Sequence, residues 1–208
     1  QAEEVIWKLA VGSSVGAVAD AAILALGNMA RNLDERESER ANKIVDWLVG
    51  EIQKPQLEER IRLFLLSLGN SGSRRALKTI LRFAEDPSPT LRSAAVAGLR
   101  WVDSEEADAW LARVLTSDEE ASVRLEAVFA LSFRKLSPQT FQALKKAFLG
   151  DRDTMVRLAI LQNLLQPLDD SSDVRGLIKQ AAADDPSPEV RRAASEIIAM
   201  NAEKYLDN

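Results

Sequence analysis

The sequence predicts an all-α fold, a right-handed superhelix in which about six antiparallel helical hairpins stack. An Asp-Pro-Ser-Pro tetrapeptide occurs at 86–89 and at 185–188, and an arginine follows each copy after two further residues. Val-Arg pairs at 123–124 and 156–157 fill the interval, so the four arginines lie 32, 33 and 34 residues apart. A period near 33 residues is typical of stacked helical hairpins. The apolar residues recur with a helical period, and no stretch alternates as a strand would.

The second helix of each hairpin, here called the B helix, carries one apolar stripe. Leu91, Ala95 and Leu99 share a face at helical spacing, and small residues beside them allow close approach of a neighbouring helix. The stripe recurs around five aligned anchor residues, Leu68, Leu99, Leu131, Leu164 and Ile198. Leu26-Gly27-Asn28 matches Leu68-Gly69-Asn70 and extends the series toward the N-terminus.

The first helix of each hairpin, the A helix, precedes each B helix. Three helix starts are marked by a serine before a proline, at Ser88 and Ser187 for B helices and at Ser137 for an A helix. Because proline is tolerated at the first helical position, each serine is expected to cap its helix. The pattern predicts A helices at 3–11, 36–53, 73–85, 104–116, 138–149 and 172–183.

The chain is expected to form a single solenoid domain, 1–208. Residues 1–54 are predicted to hold degenerate N-terminal repeats, and 55–208 regular repeats of about 31–34 residues. An apolar helix begins almost at the first residue, whereas a terminal repeat usually has a polar outer face. We therefore expect the sequence to be a fragment or the mature part of a longer chain.

Composition narrows the function classes. The net charge of −5 argues against a nucleic-acid binder, which usually needs a basic face. The sequence has no histidine and no cysteine, so the usual general base, zinc ligands and thiolate chemistry are absent. No apolar run is long enough to span a membrane. We predict no catalytic residue, no metal site and no cofactor, and the sequence leaves the cellular compartment open.

The arginines that start the B helices are predicted to form a structural ladder. Arg92, Arg124, Arg157 and Arg191 each follow an apolar residue, and an aspartate stands a few residues earlier in each repeat. These acidic residues are Asp86, Asp118, either Asp151 or Asp153, and Asp185. Each guanidinium is expected to bind an aspartate or a backbone carbonyl of the adjoining hairpin. Anion binding by the arginine row is the alternative.

Two B helices carry apolar residues on the side opposite their core stripe. In the fourth and fifth repeats these include Leu125, Phe129, Leu158, Leu161 and Leu165. A helix that is apolar all round is covered on both faces, either by neighbouring helices or by a partner. The second alternative predicts a partner-binding surface with Trp101 and Phe133 at its edges. Arg100 and Arg192 would then supply charge at its rim.

The D-P-x-x-x-[LV]-R pattern, followed by small residues, resembles HEAT-like repeats. Arg92 with Ala94-Ala95, and Arg191 with Ala193-Ala194, match it best. Leu66 to Gly72, followed by a helix near Arg74, resembles the helical domain of vitellogenin-type lipid-transfer proteins. That second resemblance implies a helical arch around a lipid-binding sheet, and possible lipid association.

The repeat pattern predicts a non-enzymatic scaffold that binds a protein partner, or another domain of its own full-length protein, on the B-helix face. A helical arch of a lipid-transfer protein is the first alternative. The HEAT-like group also contains phycobilin lyase subunits, so a lyase-type enzyme subunit is a further alternative. Fold alone does not choose among these functions.

Overall fold

The computed structural model describes residues 2–13, 15–33, 38–165 and 171–206, and all regular structure in these ranges is helical. The all-α prediction is confirmed. The helices are α1 (Ala2–Gly12), α2 (Gly16–Asn32), α3 (Ser38–Glu51), α4 (Glu58–Ser71), α5 (Leu77–Phe83), α6 (Pro89–Gly98), α7 (Glu105–Ser117), α8 (Ala121–Leu131), α9 (Pro138–Gly150), α10 (Thr154–Asn163), α11 (Ser172–Asp184), α12 (Pro188–Met200) and α13 (Ala202–Leu206).

The helices alternate as predicted between A and B helices. The A helices are α1, α3, α5, α7, α9 and α11, and the bounds of four of them agree with the expected ranges within one residue. The range 73–85 differs because it opens with a 3-10 turn, Arg74–Ala76, before α5. The start of the range 36–53 lies outside the described residues.

The predicted serine caps are confirmed at the three Ser-Pro sites. The backbone N–H of Leu91 donates to Ser88 Oγ at 3.4 Å, and that of Thr140 donates to Ser137 Oγ at 3.1 Å. Ser187 caps α12 in the same way. Each cap satisfies one of the N–H groups that the first helical turn leaves unpaired.

Internal contacts divide the chain into two compact units, Gln1–Leu111 and Ala112–Asn208, with the boundary inside α7. In the first unit, α2 packs on α4 and α4 packs on α6. A Cβ built on Gly27 would lie 2.1 Å from the backbone oxygen of Ser67, and one built on Gly69 would lie 2.4 Å from Gly98 Cα. Only glycine permits this backbone approach. That the whole chain forms one domain stays a prediction.

In the second unit, α10 contacts α8 on one side and α12 on the other. The anchor residues Leu131 and Leu164 are buried, as are Leu68 and Leu99 in the first unit. Ile198, the last anchor, is only half-buried. The B helices α8, α10 and α12 therefore form a second series of adjacent helices, and the candidate site lies on it.

Candidate partner-binding groove

A groove of about 680 Å³ lies on the second unit between α8 and α10. We call it the α8–α10 groove. Its apolar wall consists of Leu125, Val128 and Phe129 on α8 with Ala159 on α10, and its polar wall includes Gln162. Ser122, Glu126, Ser132 and Asn163 complete the lining. Apolar walls with a few polar groups are typical of a surface that binds an extended or helical segment.

Side-chain volume where α8 crosses α10 explains why this groove is open. Aligning the B helices on their anchors places Ser132 at the position of Gly69, and Asn163 at the position of Gly98. The amide Nδ2 of Asn163 donates to the backbone oxygen of Val128 at 2.9 Å. A polar side chain thus stands where the first unit has two glycines in backbone contact, and we expect its volume to keep α8 and α10 from approaching as closely.

An exposed aromatic pair marks one end of the groove. Phe129 is 49% exposed and Phe133 is 41% exposed. Their rings meet edge to face, with centroids 5.0 Å apart. Exposed aromatic side chains that already pack on each other lose little conformational freedom on binding, so they are effective anchors for a partner.

The structure brings together part of the predicted surface. Leu125 and Phe129 line the groove, whereas Leu158 is half-buried on α10 and Leu165 is exposed beyond its end. Arg192 is exposed on α12. These placements do not test partner binding, which stays a prediction.

The prediction for Leu161 is wrong. Its side chain is 1% exposed and belongs to the core of the second unit. Val128, the equivalent residue of α8, is likewise buried. Leu161 was expected on the face opposite the core stripe, but this position lies on the flank of the B helix, where stacked helices bury it.

Trp101 and Arg100 lie in the first unit. Arg100 is half-buried, and its Nη2 donates to Asn70 Oδ1 at 2.9 Å. The guanidinium of Arg31 lies over the Trp101 ring, 4.8 Å from its centroid. Arg100, predicted at the rim of the surface, and Trp101, predicted at its edge, therefore each contact another side chain of the first unit.

Arg124 and Arg157 each bind an aspartate through two parallel hydrogen bonds. Arg157 donates through Nε and Nη2 to the carboxylate of Asp185, at 2.9 and 3.0 Å, and Arg124 binds Asp151 in the same way at 2.7 Å. The aspartate comes from the loop of the following hairpin. The Nη1 of each arginine donates to carbonyls of its own preceding loop, as in the bond from Arg157 to Asp151 O at 2.9 Å.

The electrostatics of these pairs follow from the bonds. The hydrogen bond to Asp151 raises the pKa of Arg124. Burial acts to raise the pKa of the Asp151 carboxyl, but the bonds from Arg124 and from the backbone N–H of Asp153 outweigh it and hold that pKa below its ordinary value. Arg157 and Asp185 are both more than nine-tenths buried. Buried bidentate pairs of this kind fix the geometry of neighbouring hairpins.

The remaining ladder residues are bonded to backbone groups. Arg92 Nη1 donates to the carbonyl oxygen of Asp86 at 3.1 Å, and Arg191 Nη1 donates to that of Asp185 at 2.6 Å. The carboxylate of Asp118 accepts the backbone N–H of Glu120 at 3.0 Å. The arginines are thus occupied at least in part by their own loops.

A second cleft of about 680 Å³ lies beside the Arg124–Asp151 pair, and its other charged residues include Lys146 and Arg152. The acidic and basic groups are mixed here, and the central pair is internally bonded. Within the described ranges, no cluster of carboxylates has the arrangement of a metal site. No described helix is long and apolar enough to cross a membrane.

The sequence reasoning missed Asn163 as a determinant of the site. The available signal was its position in the repeat, where α4, α6 and α8 carry the smaller Ser67, Gly98 and Ala130, whereas α12 carries Ile197. An amide at a position that is small in the three preceding B helices fills more of the space where two helices cross. The aromatic contact between Phe129 and Phe133 follows from their i, i+4 spacing.

Comparisons with known proteins agree with this architecture. Residues 45–132 match the family model described as HEAT repeats. No curated protein matches the chain in sequence.

Among solved structures, one similar chain is a designed armadillo repeat protein in complex with the peptide (KR)4. It shows 16% identity over 95% of this chain and 98% of that chain, with a TM-score of 0.56. Another is the complex of CpcE and CpcF of phycocyanin lyase from Nostoc sp. PCC7120, with 18% identity over 92% of this chain and 74% of that chain, and a TM-score of 0.57. A computationally designed armadillo repeat protein for modular peptide recognition shows 14% identity over 96% and 99%, with a TM-score of 0.50. At these identities the likeness establishes the fold alone.

Proposed function

We propose that this HEAT-like repeat protein is a non-enzymatic scaffold that binds a protein segment in the α8–α10 groove. The observation that carries the proposal is the exposed Phe129–Phe133 pair beside a groove with apolar walls. Phe129 is fixed in place by Phe133, so a partner side chain meets a surface that is already ordered. The groove residue Gln162 adds an amide group that can pair with a partner backbone.

The comparison with the peptide complex supports this mode of binding at the level of fold. A designed armadillo repeat protein of similar fold is complexed with the peptide (KR)4. Helical repeats present rows of B-helix side chains, and an extended segment can contact several of them at once. The groove occupies the corresponding kind of surface here, between two successive B helices.

The proposal is tested with Phe129→Asp and the matched control Leu149→Asp. Both replace an exposed apolar side chain of a helix, and Leu149 is 53% exposed outside the groove. Peptides selected from a random display library on the unmodified protein are then measured on both variants by calorimetry. We expect Phe129→Asp to weaken binding at least about 30-fold, because it removes a central aromatic anchor. Leu149→Asp should change the affinity less than about twofold.

The stability of the two variants decides whether the result reflects the surface. Phe129→Asp should lower the free energy of unfolding by only about 1 kcal/mol, because it loses one edge-to-face contact and some helix propensity. Unchanged peptide affinity in Phe129→Asp would refute the groove as the binding site. A loss of several kcal/mol would show that Phe129 serves the core, which would also end the proposal.

A lyase-type subunit is the second candidate, and the similarity to the phycocyanin lyase complex favours it. The test is the visible absorption spectrum of phycocyanobilin mixed with the protein. A scaffold without tetrapyrrole binding leaves the spectrum unchanged, whereas a saturable shift would favour the lyase class. The lipid-arch alternative rests on the vitellogenin resemblance, and lipid found by native mass spectrometry would support it.

A further inference from the structure

The guanidinium of Arg31, in the last turn of α2, is oriented by an aromatic ring and has no acidic partner. It lies over the ring of Trp101, 4.8 Å from the centroid, although the two residues belong to different hairpins. The Arg31 side chain is exposed, and no carboxylate among the described residues pairs with it. Four other arginines of the first unit do pair with a carboxylate, namely Arg40, Arg60, Arg74 and Arg75.

The end of α4 leaves room for Arg31 to reach this ring. Gly72, directly after α4, has a φ of 63°, a left-handed conformation that favours glycine. A Cβ built on Gly72 would lie 3.1 Å from the backbone oxygen of Trp101 and 3.8 Å from Arg31 Cδ. The Arg31 side chain thus crosses from α2 over the end of α4 to a residue that follows α6, so contacts within the first unit set its position.

Stacking orients the guanidinium of Arg31 without using its hydrogen-bond donors. A guanidinium contacts an aromatic ring through its face, whereas its N–H groups donate within its own plane. Elsewhere in the chain, the same donors bind carboxylates. Arg75 donates through Nε and Nη2 to the Asp46 carboxylate at 2.9–3.2 Å, and Arg157 binds Asp185 at 2.9 and 3.0 Å. The ligand that fits the donors of Arg31 is therefore a carboxylate that accepts two parallel bonds.

We propose that Arg31 and Trp101 form a recognition site for a carboxylate side chain of an acidic protein segment. Trp101 positions the guanidinium, and Arg31 donates two hydrogen bonds to a glutamate or aspartate of the partner. Asp103, which follows Trp101 closely in sequence, does not fill this site, because its Oδ2 lies 3.4 Å from Arg74 Nη2 and its backbone oxygen accepts a hydrogen bond from Arg74 Nε. The site lies in the first unit and does not rest on the function proposed for the α8–α10 groove.

The experiment titrates the full chain with a blocked tetrapeptide of glutamates, and in parallel with the matched tetrapeptide of glutamines. Binding is followed by NMR at the Nε–Hε signal of Arg31 and the indole N–H signal of Trp101. We expect saturable shifts of both signals with the glutamate peptide. The glutamine peptide should bind about tenfold more weakly, because its amides cannot form a charge-assisted bidentate contact.

Variants of two stacked arginines separate the site from general charge effects. Arg31→Gln should abolish the shift at Trp101, and Arg31→Lys should bind the glutamate peptide at least about fivefold more weakly, since an ammonium group lacks the planar fork. Arg82→Gln is the matched control, because Arg82 is also exposed and lies over a ring, 4.9 Å from the centroid of the adjacent Phe83. That control should change the affinity less than about twofold.

Equal affinity for the two peptides, or the absence of any shift at Arg31, would overturn the proposal. Tighter binding of inorganic phosphate than of the glutamate peptide would assign the site to phosphate groups and would also overturn it.

A triple variant, Asp34→Asn with Glu35→Gln and Glu37→Gln, tests the acidic residues that follow α2 in sequence and lie outside the described residues. The triple variant should bind the glutamate peptide as the unmodified chain does. Binding that appears only in this variant would mean that the chain's own carboxylates occupy Arg31, which would refute a site for a partner. Phe129→Asp should leave the shifts unchanged, so a failure of this proposal is distinguishable from a failure of the groove proposal.

Discussion

The two units of this protein join successive hairpins by different means. In the first unit, α2, α4 and α6 meet through backbone contact at Gly27 and Gly69, and α4 carries Ile61 where the later B helices carry an arginine. In the second unit, Arg124 and Arg157 reach forward to aspartates of the next hairpin. Backbone contact at glycines thus joins successive hairpins in the first unit, and buried ion pairs join them in the second.

The residues at the crossing of two B helices affect how much space is left between those helices. Glycine contacts bring neighbouring helices together and leave little space between them. Where Ser132 and Asn163 stand at the glycine positions, the Asn163 side chain occupies the crossing, and the groove lies between the two helices. The ion pairs of Arg124 and Arg157 with aspartates of the next hairpin join the hairpins on both sides of that crossing. We therefore expect that two crossing residues are enough to open or close this groove without a change of fold.

The largest expected effect comes from breaking a buried ion pair. Arg157→Gln should lower the free energy of unfolding by about 3–5 kcal/mol, because it leaves the Asp185 carboxylate buried without its cation. Arg75→Gln is the matched control in the first unit, since its pair with Asp46 is about half exposed. That control should cost less than about 1 kcal/mol. Urea unfolding of both variants measures the difference, and equal losses would contradict the contrast drawn between the units.

The next effect tests the glycine contacts. Gly69→Ala should destabilise the protein by about 3 kcal/mol, because the new Cβ meets the backbone of Gly98 and the helices must move apart. Gly176→Ala is the control, since a Cβ there meets nothing within 4 Å. Alanine should stabilise that position in α11 by about 0.5–1 kcal/mol. Thermal melting gives both signs, and a neutral Gly69→Ala would show that the contact is loose.

A smaller effect is the pH dependence of the Arg124–Asp151 pair. The folded-state pKa of Asp151 lies below its ordinary value, so its contribution to stability is present above that ordinary value and is lost as the pH falls through the folded pKa. Asp151→Asn removes this contribution. The stability gap between the variant and the unmodified protein should therefore narrow as the pH falls from about 5 to about 2. Urea midpoints across that range measure the gap, and a constant gap would exclude an ionised Asp151 as the source of its stabilisation.

The sequence predicted the repeated hairpins because period and capping are local properties. The stretches Ser88-Pro89 and Ser187-Pro188 specify helix starts without any tertiary information. The ladder was harder, since Asp151 and Asp185 each bind the arginine of the hairpin before them, and spacing alone does not show which neighbour a side chain reaches. Leu161 was misassigned for a related reason. Helical periodicity separates the core stripe from the opposite face, but stacking also buries the flank between them, where Leu161 lies.

The groove that we propose as the binding surface was predicted only in part. Leu125 and Phe129 follow from the apolar excess of the fourth repeat, and both line the groove. The opening of the groove depends on Asn163, whose role follows from the volume of its neighbours across the crossing. Sequence shows which residue occupies each repeat position, but the spacing between two helices is decided by both sides of the contact together.

The most direct test of this account is a crystal structure of the double variant Ser132→Gly, Asn163→Gly. The account predicts that α8 and α10 move together until their backbones touch, as α4 and α6 do at Gly69, and that the α8–α10 groove closes. Peptides that bind the unmodified protein should then lose affinity although Phe129 is intact. An unchanged helix spacing with an open groove would contradict the claim that these two side chains create the site.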